Sequence, residues 1–159
     1  MEWTFSSLDE NSLENLGCRL ADFAKAGVVF SLYGELGVGK TTLARAIIRR
    51  SCNIFTDVPS PTFNLVQSYK SHSGFELWHL DLYRLNILHE VLELGVEDAL
   101  IDNCCIIEWP DIMEQIIPSH SIYIQLDFQD RNSSSMSNQR MITIKTSNPI
   151  MASFDGMYE

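Results

Sequence analysis

The stretch Val28-Val29-Phe30-Ser31-Leu32-Tyr33-Gly34-Glu35-Leu36-Gly37-Val38-Gly39-Lys40-Thr41 decides how the rest of the chain is read. It opens as an apolar, β-leaning run, ends in G-x-x-x-x-G-K-[ST], and is followed by an amphipathic helical pattern through Leu43, Ala44, Ile47 and Ile48. A strand, a glycine-rich turn and a helix start in that order make the phosphate-binding P-loop. A triphosphate needs several donors converging from one side. Side chains at Gly34, Gly37 or Gly39 would block that approach or resist the backbone angles of the loop. Successive N–H groups and the positive end of the helix then surround the phosphates. Lys40 reaches toward the β- and γ-phosphates, and the Thr41 hydroxyl is placed to bind Mg²⁺.

Upstream, Leu13, Leu16, Leu20 and Phe23 recur at helical spacing within residues 8–26 and stop at Gly27, so a helix packed on a sheet is expected. Residues 3–6 suggest a short opening strand. Downstream, Pro59-Ser60-Pro61 marks a loop, because proline continues neither a helix nor a central strand. Residues 63–69 and 75–83 read as a hairpin around Ser71-His72-Ser73-Gly74. A helix over 87–94 ends at Gly95, a short acidic turn follows, and 100–107 reads as a buried strand running into Glu108-Trp109-Pro110. Residues 121–128 and 141–145 alternate as a closing hairpin across a polar turn at 130–138. These elements predict an α/β fold: a three-layer, P-loop NTPase-like domain whose mixed sheet has a parallel centre flanked by antiparallel strands. The domain is expected over 1–147, with 148–159 as a C-terminal tail that frays or lies on the surface.

The chain of 159 residues is long enough for one buried core, and 45% hydrophobic with 20% charged residues is ordinary for a globular protein. The start carries no secretory pattern and no apolar run approaches a membrane span, so a cytoplasmic location is expected. Cys18, Cys52, Cys104 and Cys105 lack metal-ligand spacing and read as small core residues. A formal charge of −10 argues against gripping nucleic acid directly, since phosphate contacts need a basic face. Arg45, Arg49 and Arg50 cluster on the helix after the P-loop, as a solvated face or as a docking patch for an acidic partner.

A P-loop holds phosphates, but cleaving them also needs an acid for Mg²⁺ and the attacking water. Asp81 and Glu108 each end an apolar strand, where ligands of open parallel sheets lie, and either suits that role. His79 reads as a bonded core histidine or as a participant in the chemistry. Arg84 is open between a phosphate or partner contact and a surface ion pair. Thr62, beside Pro61, is open between a γ-phosphate sensor and a rigid turn, and Trp109 between a stacking platform and packing.

The ordered set Gly34-Glu35-Leu36-Gly37-Val38-Gly39-Lys40-Thr41-Thr42, Ser60-Pro61-Thr62-Phe63, His79-Leu80-Asp81-Leu82-Tyr83-Arg84, Leu94-Gly95-Val96-Glu97-Asp98 and Ile107-Glu108-Trp109-Pro110 resembles the bacterial TsaE (YjeE) family. The likeness spans roughly residues 8–131. It implies a small Mg²⁺-dependent ATPase needed for making threonylcarbamoyladenosine beside the anticodon of tRNA. In that family a TsaD–TsaB heterodimer performs the transfer, and the ATPase docks on it and resets it between turnovers. By position, the resemblance makes Thr41 and Glu108 Mg²⁺ ligands, and it makes Lys40 with the backbone of Gly37, Val38 and Gly39 the phosphate cradle. Asp81 becomes an acid of hydrolysis, Thr42 a second loop hydroxyl, and Glu10 and Arg131 neighbours of the base and sugar. Departures are mild: Glu35 replaces a frequent aspartate, and Phe63 stands where tyrosine is also common.

Other classes fit less well. The chain has neither the N-K-x-D nor the D-x-x-G string of a guanine-nucleotide switch. A small-molecule kinase usually brings lid arginines to the transferring phosphate, and after Tyr83 only Arg84, Arg131 and Arg140 remain. A module that uses ATP only to change shape, with negligible turnover, is the remaining alternative.

Overall fold

A computed structural model describes residues 1–129 and 139–154. Seven strands form one sheet: β1 (Glu2–Leu8), β2 (Val29–Gly34), β3 (Val66–Lys70), β4 (Glu76–Asp81), β5 (Cys104–Glu108), β6 (Ile122–Phe128) and β7 (Arg140–Lys145). Their order is β1-β7-β6-β2-β5-β4-β3. The four inner strands β6, β2, β5 and β4 run parallel, while β7 and β3 join antiparallel and β1 pairs antiparallel with β7. The mixed sheet with a parallel centre is therefore as the sequence reads. The register sets Leu32 beside Glu108 and Glu108 beside Asp81, so P-loop strand and both acids end at one edge of the sheet.

Helices cover both faces. On one side α1 (Glu10–Leu20) and α2 (Lys40–Ser51) bury Leu13, Leu16, Leu20, Leu43, Ile47 and Ile48 against Phe30, Leu32, Ile106 and Ile124. On the other, α3 (Leu88–Leu92) and α4 (Val96–Asp102) bury Val91, Val96, Ala99 and Leu100 against Val29, Leu80, Cys105 and Ile107. Alternate β5 residues face alternate layers, which is why that strand carries no polar residue before Glu108. Among the described residues no helix is long and apolar enough to cross a membrane.

Four expectations need correction. The first helix starts at Glu10 rather than Leu8, because Leu8 pairs with Arg140 in the sheet and the Asp9 side chain accepts the Ser12 amide as an N-cap. The third strand starts at Val66, not residue 63. Leu65 takes a left-handed backbone with φ of 62°, and its amide donates to Pro61, which holds the preceding residues in a turn. Residues 100–102 belong to a helix rather than to a strand: Val96, Ala99 and Leu100 are buried at helical spacing, and extended backbone resumes only at Asn103. The chain after Ser147 also departs from the expectation of a frayed tail. Pro149–Ser153 forms a 3-10 turn capped by Asn148, Met151 is fully buried, and Phe154 packs edge-on against Trp3, Phe5 and Phe23. The turn at 130–138 lies outside the described residues.

Candidate active site

The P-loop joins β2 to α2, and its three glycines work for different reasons. Gly34, at φ of 139°, passes so close to the Leu126 carbonyl that no Cβ fits. Gly37 has open space around it but a φ of 76°, so its need is conformational. Gly39 has a φ of 118°, and a Cβ there would meet Leu13 of α1 at 2.6 Å. The first intrahelical bond runs from the Leu43 amide to Gly39, so the amides of Lys40, Thr41 and Thr42 precede it and open toward the cleft. Val38 is fully buried and fixes the loop from below, while its carbonyl accepts a 2.9 Å bond from Arg140 Nε on β7. Arg140 is a loop-holding residue that sequence order hides, since it lies far along the chain and is placed beside the P-loop only by the β6–β7 hairpin.

Above the loop lies a cleft of about 240 Å³ lined by Leu36, Gly37, Gly39, Lys40, Thr41, Thr42, Ser60, Thr62, Asp81, Tyr83, Glu108 and Trp109. Lys40 is 4% exposed, and its Nζ donates to the carbonyls of Gly34 (2.6 Å) and Glu35 (2.8 Å). Trp109 covers the ammonium at 3.9 Å and packs beside Tyr83, so it is a lid on the lysine rather than core filling. Burial pushes the Lys40 ammonium down, and the carboxylates of Glu108 and Asp81 oppose that shift.

The two acids occupy adjacent strand ends but have different partners. Glu108, 2% exposed, accepts the Thr41 hydroxyl on Oε2 (3.0 Å) and meets His79 Nε2 on Oε1 (2.8 Å). Asp81 accepts the Thr62 hydroxyl (3.0 Å) and the Tyr83 amide (3.1 Å), and Ser60 in turn bonds Thr62 (2.6 Å). Among the described residues, two non-glycine positions have positive φ: Trp109, directly after Glu108, and Leu65, whose carbonyl accepts the Asp81 amide. Backbone of this kind costs about 1–3 kcal/mol per residue and persists where surrounding structure imposes it. Here one such residue bonds the Asp81 backbone and the other directly follows Glu108.

Several sequence candidates lie elsewhere. Glu10 is exposed at the start of α1 and does not line the cleft. Arg131 lies outside the described residues. Arg84 stacks its guanidinium on the exposed Phe63 ring at 4.5 Å instead of turning into the cleft. Of the arginine cluster, Arg45 donates to the Val58 carbonyl (2.7 Å) and Arg49 to that of Thr56 (3.2 Å). They brace the loop that leads into Ser60-Pro61-Thr62, a role legible neither in a solvated face nor in a docking patch. Cys104 and Cys105 are fully buried, and burial pushes the Cys105 thiol up to about 12, but Cys18 is exposed and Cys52 only half-buried, so the reading of all four as core residues does not hold.

The donor set fits Mg²⁺. This ion keeps several waters and binds through one or two protein oxygens plus phosphates. A hydroxyl and a carboxylate already in contact beside the P-loop are such a pair. Among the described residues no cluster of three or more His, Cys, Asp or Glu offers an all-protein cage instead.

Residues 7–140 match the family model described as threonylcarbamoyl adenosine biosynthesis protein TsaE. The chain is 40% identical over 124 residues to the tRNA threonylcarbamoyladenosine biosynthesis protein TsaE of Rickettsia felis, covering 78% of this chain and 72% of that protein. It is 33% identical over 128 residues to the protein of that name from Haemophilus influenzae, covering 77% and 80%. The crystal structure of Bacillus subtilis YdiB superposes with a TM-score of 0.68 at 23% identity, over 92% of this chain and 86% of that one, a likeness of fold. With the P-loop, the acid-bearing strand ends and the family match all falling on the same residues, the chain belongs to the TsaE family of threonylcarbamoyl adenosine biosynthesis proteins.

Proposed function

We propose that the chain is a cytoplasmic, Mg²⁺-dependent ATPase that serves threonylcarbamoyladenosine modification of the adenosine next to the anticodon in tRNA. Its working partner in this reading is the TsaD–TsaB transferase pair. The observation that carries it is the Thr41–Glu108 bond at the mouth of the P-loop, which joins a helix-start hydroxyl to a strand-end carboxylate beside Lys40. Lys40 and the amides of the loop and first helical turn hold the β- and γ-phosphates, with Thr42 beside them, and Thr41 and Glu108 hold Mg²⁺. When bound there, Mg²⁺ supplies the charge neutralisation that phosphoryl transfer needs. In this reading Asp81, whose carboxylate accepts the Thr62 hydroxyl and the Tyr83 amide, orients an attacking water. In this proposal Glu10 and Arg131 approach the base and sugar. The charge of −10 suits a protein that reaches tRNA through its partners rather than by its own surface.

The test is phosphate release from ATP by the purified chain, alone and with TsaD–TsaB. Slow release that the pair stimulates, and that disappears in Glu108→Ala, is expected. Phosphate appearing on a small-molecule acceptor, or no release under either condition, contradicts the proposal.

A further inference from the structure

His79 is buried inside β4 with no exposed surface and does not line the cleft, so it touches no substrate. Its Nε2 nevertheless lies 2.8 Å from Glu108 Oε1, while the opposite carboxylate oxygen accepts the Thr41 hydroxyl. An ionised carboxylate has only acceptors, so the proton of the His79–Glu108 bond sits on Nε2. The other ring nitrogen, Nδ1, is buried and meets no hydrogen-bond partner among the described residues. An aliphatic side chain would fill this strand position without orphaning a nitrogen. What the imidazole adds is one donor aimed at Glu108.

We infer that His79 is a positioning residue: its Nε2–H fixes the Glu108 carboxylate so that the remaining oxygen faces Thr41, and thereby sets the Mg²⁺ affinity of the cleft. The terminal torsion of a glutamate is broad, so a carboxylate held at one oxygen alone swings through many orientations. Held at both oxygens, it stays aligned before any ion arrives. Partners of metal-binding side chains characteristically change metal affinity by about 10–100-fold when removed. The inference rests on the Mg²⁺ site proposed above, and its test separates the two.

The test is calorimetric titration of ATP into the whole chain, once with excess Mg²⁺ and once with EDTA, for wild type, His79→Leu and His79→Gln. Wild type is expected to bind ATP more tightly with Mg²⁺. His79→Leu should lose about tenfold or more of that gain with EDTA affinity unchanged. His79→Gln, whose amide nitrogen reaches nearly the place of Nε2, should keep most of it. Should His79→Leu prove insoluble, His79→Met takes its place, being flexible, apolar and without a donor. In a Glu108→Gln background, removing the histidine should change nothing further, because its only route to the ion is through that carboxylate. Retention of the full Mg²⁺ gain in the apolar variant overturns the inference. So does equal weakening with and without Mg²⁺, or failure of the glutamine variant to rescue. A wild type that gains nothing from Mg²⁺ overturns the Mg²⁺ site itself, a result visible before any variant is made.

Discussion

One wall of the cleft is built from regular structure. Lys40 and Thr41 open α2 and Glu108 ends β5, with the buried His79 of β4 bonded to Glu108 from behind the cleft, all tied to the central sheet. The rest of the lining around Asp81 is built largely from connections: Ser60 and Thr62 come from the loop after α2, Tyr83 follows β4, and Asp81 itself ends a strand. On the first wall, moving a polar group means breaking a sheet or helix. On the second, the Thr62–Asp81 link is a single hydroxyl bond to a carboxylate, worth about 1.5–3 kcal/mol. Under the proposed function, that contrast puts binding on the rigid wall and adjustment during turnover on the loop-borne one.

The sharpest way to break that division is Lys40→Ala. The loop amides keep their geometry but lose the Lys40 ammonium, so ATP affinity should fall by roughly two orders of magnitude in calorimetry. Near-normal affinity would move the binding function off this wall. Glu108→Ala should retain ATP and lose Mg²⁺-dependent phosphate release by roughly 100-fold. Asp81→Asn should leave affinity within about twofold and slow release by tens of fold, as expected for an acid that serves the reacting water rather than the ground state. A large affinity loss in that variant would place both acids on the binding side. Thr62→Val should lower turnover about tenfold with Asp81 still present, the low end of the worth of one hydroxyl bond to a carboxylate. Phe154→Ala bounds the series from below: it should cost about 3 kcal/mol of stability in denaturant unfolding and leave ATP affinity unchanged, because Phe154 packs with Trp3 and Phe5 away from the cleft.

The rigid wall was also the more legible in sequence. A P-loop is a contiguous string with one physical solution, and apolar runs ending in Asp81 or Glu108 point to strand tips wherever the sheet is parallel. The partners of those groups were not legible, because Arg140 on Val38 and His79 on Glu108 are contacts made by strand order, far apart in the chain. On the other face, residues 100–102 of α4 read as strand because Leu100-Ile101 and Cys104-Cys105-Ile106-Ile107 sit close enough across Asp102-Asn103 to pass for one buried run. Burial separates them: Ile101 is 73% exposed, as one side of a helix is, while all of β5 is buried. The segment after Ser147 escaped because two apolar anchors, Met151 and Phe154, make no periodic pattern. Their burial depends on a sheet edge that exists only once β1 and β7 have paired.

The most direct test of the account is a crystal structure of the whole chain with Mg²⁺ and a non-hydrolysable ATP analogue. The expected result is a cation about 2.1 Å from the Thr41 hydroxyl, with Glu108 in its shell and the β- and γ-phosphates within reach of Lys40. A nucleotide bound away from the P-loop, or a cation that contacts neither Thr41 nor Glu108, would contradict it.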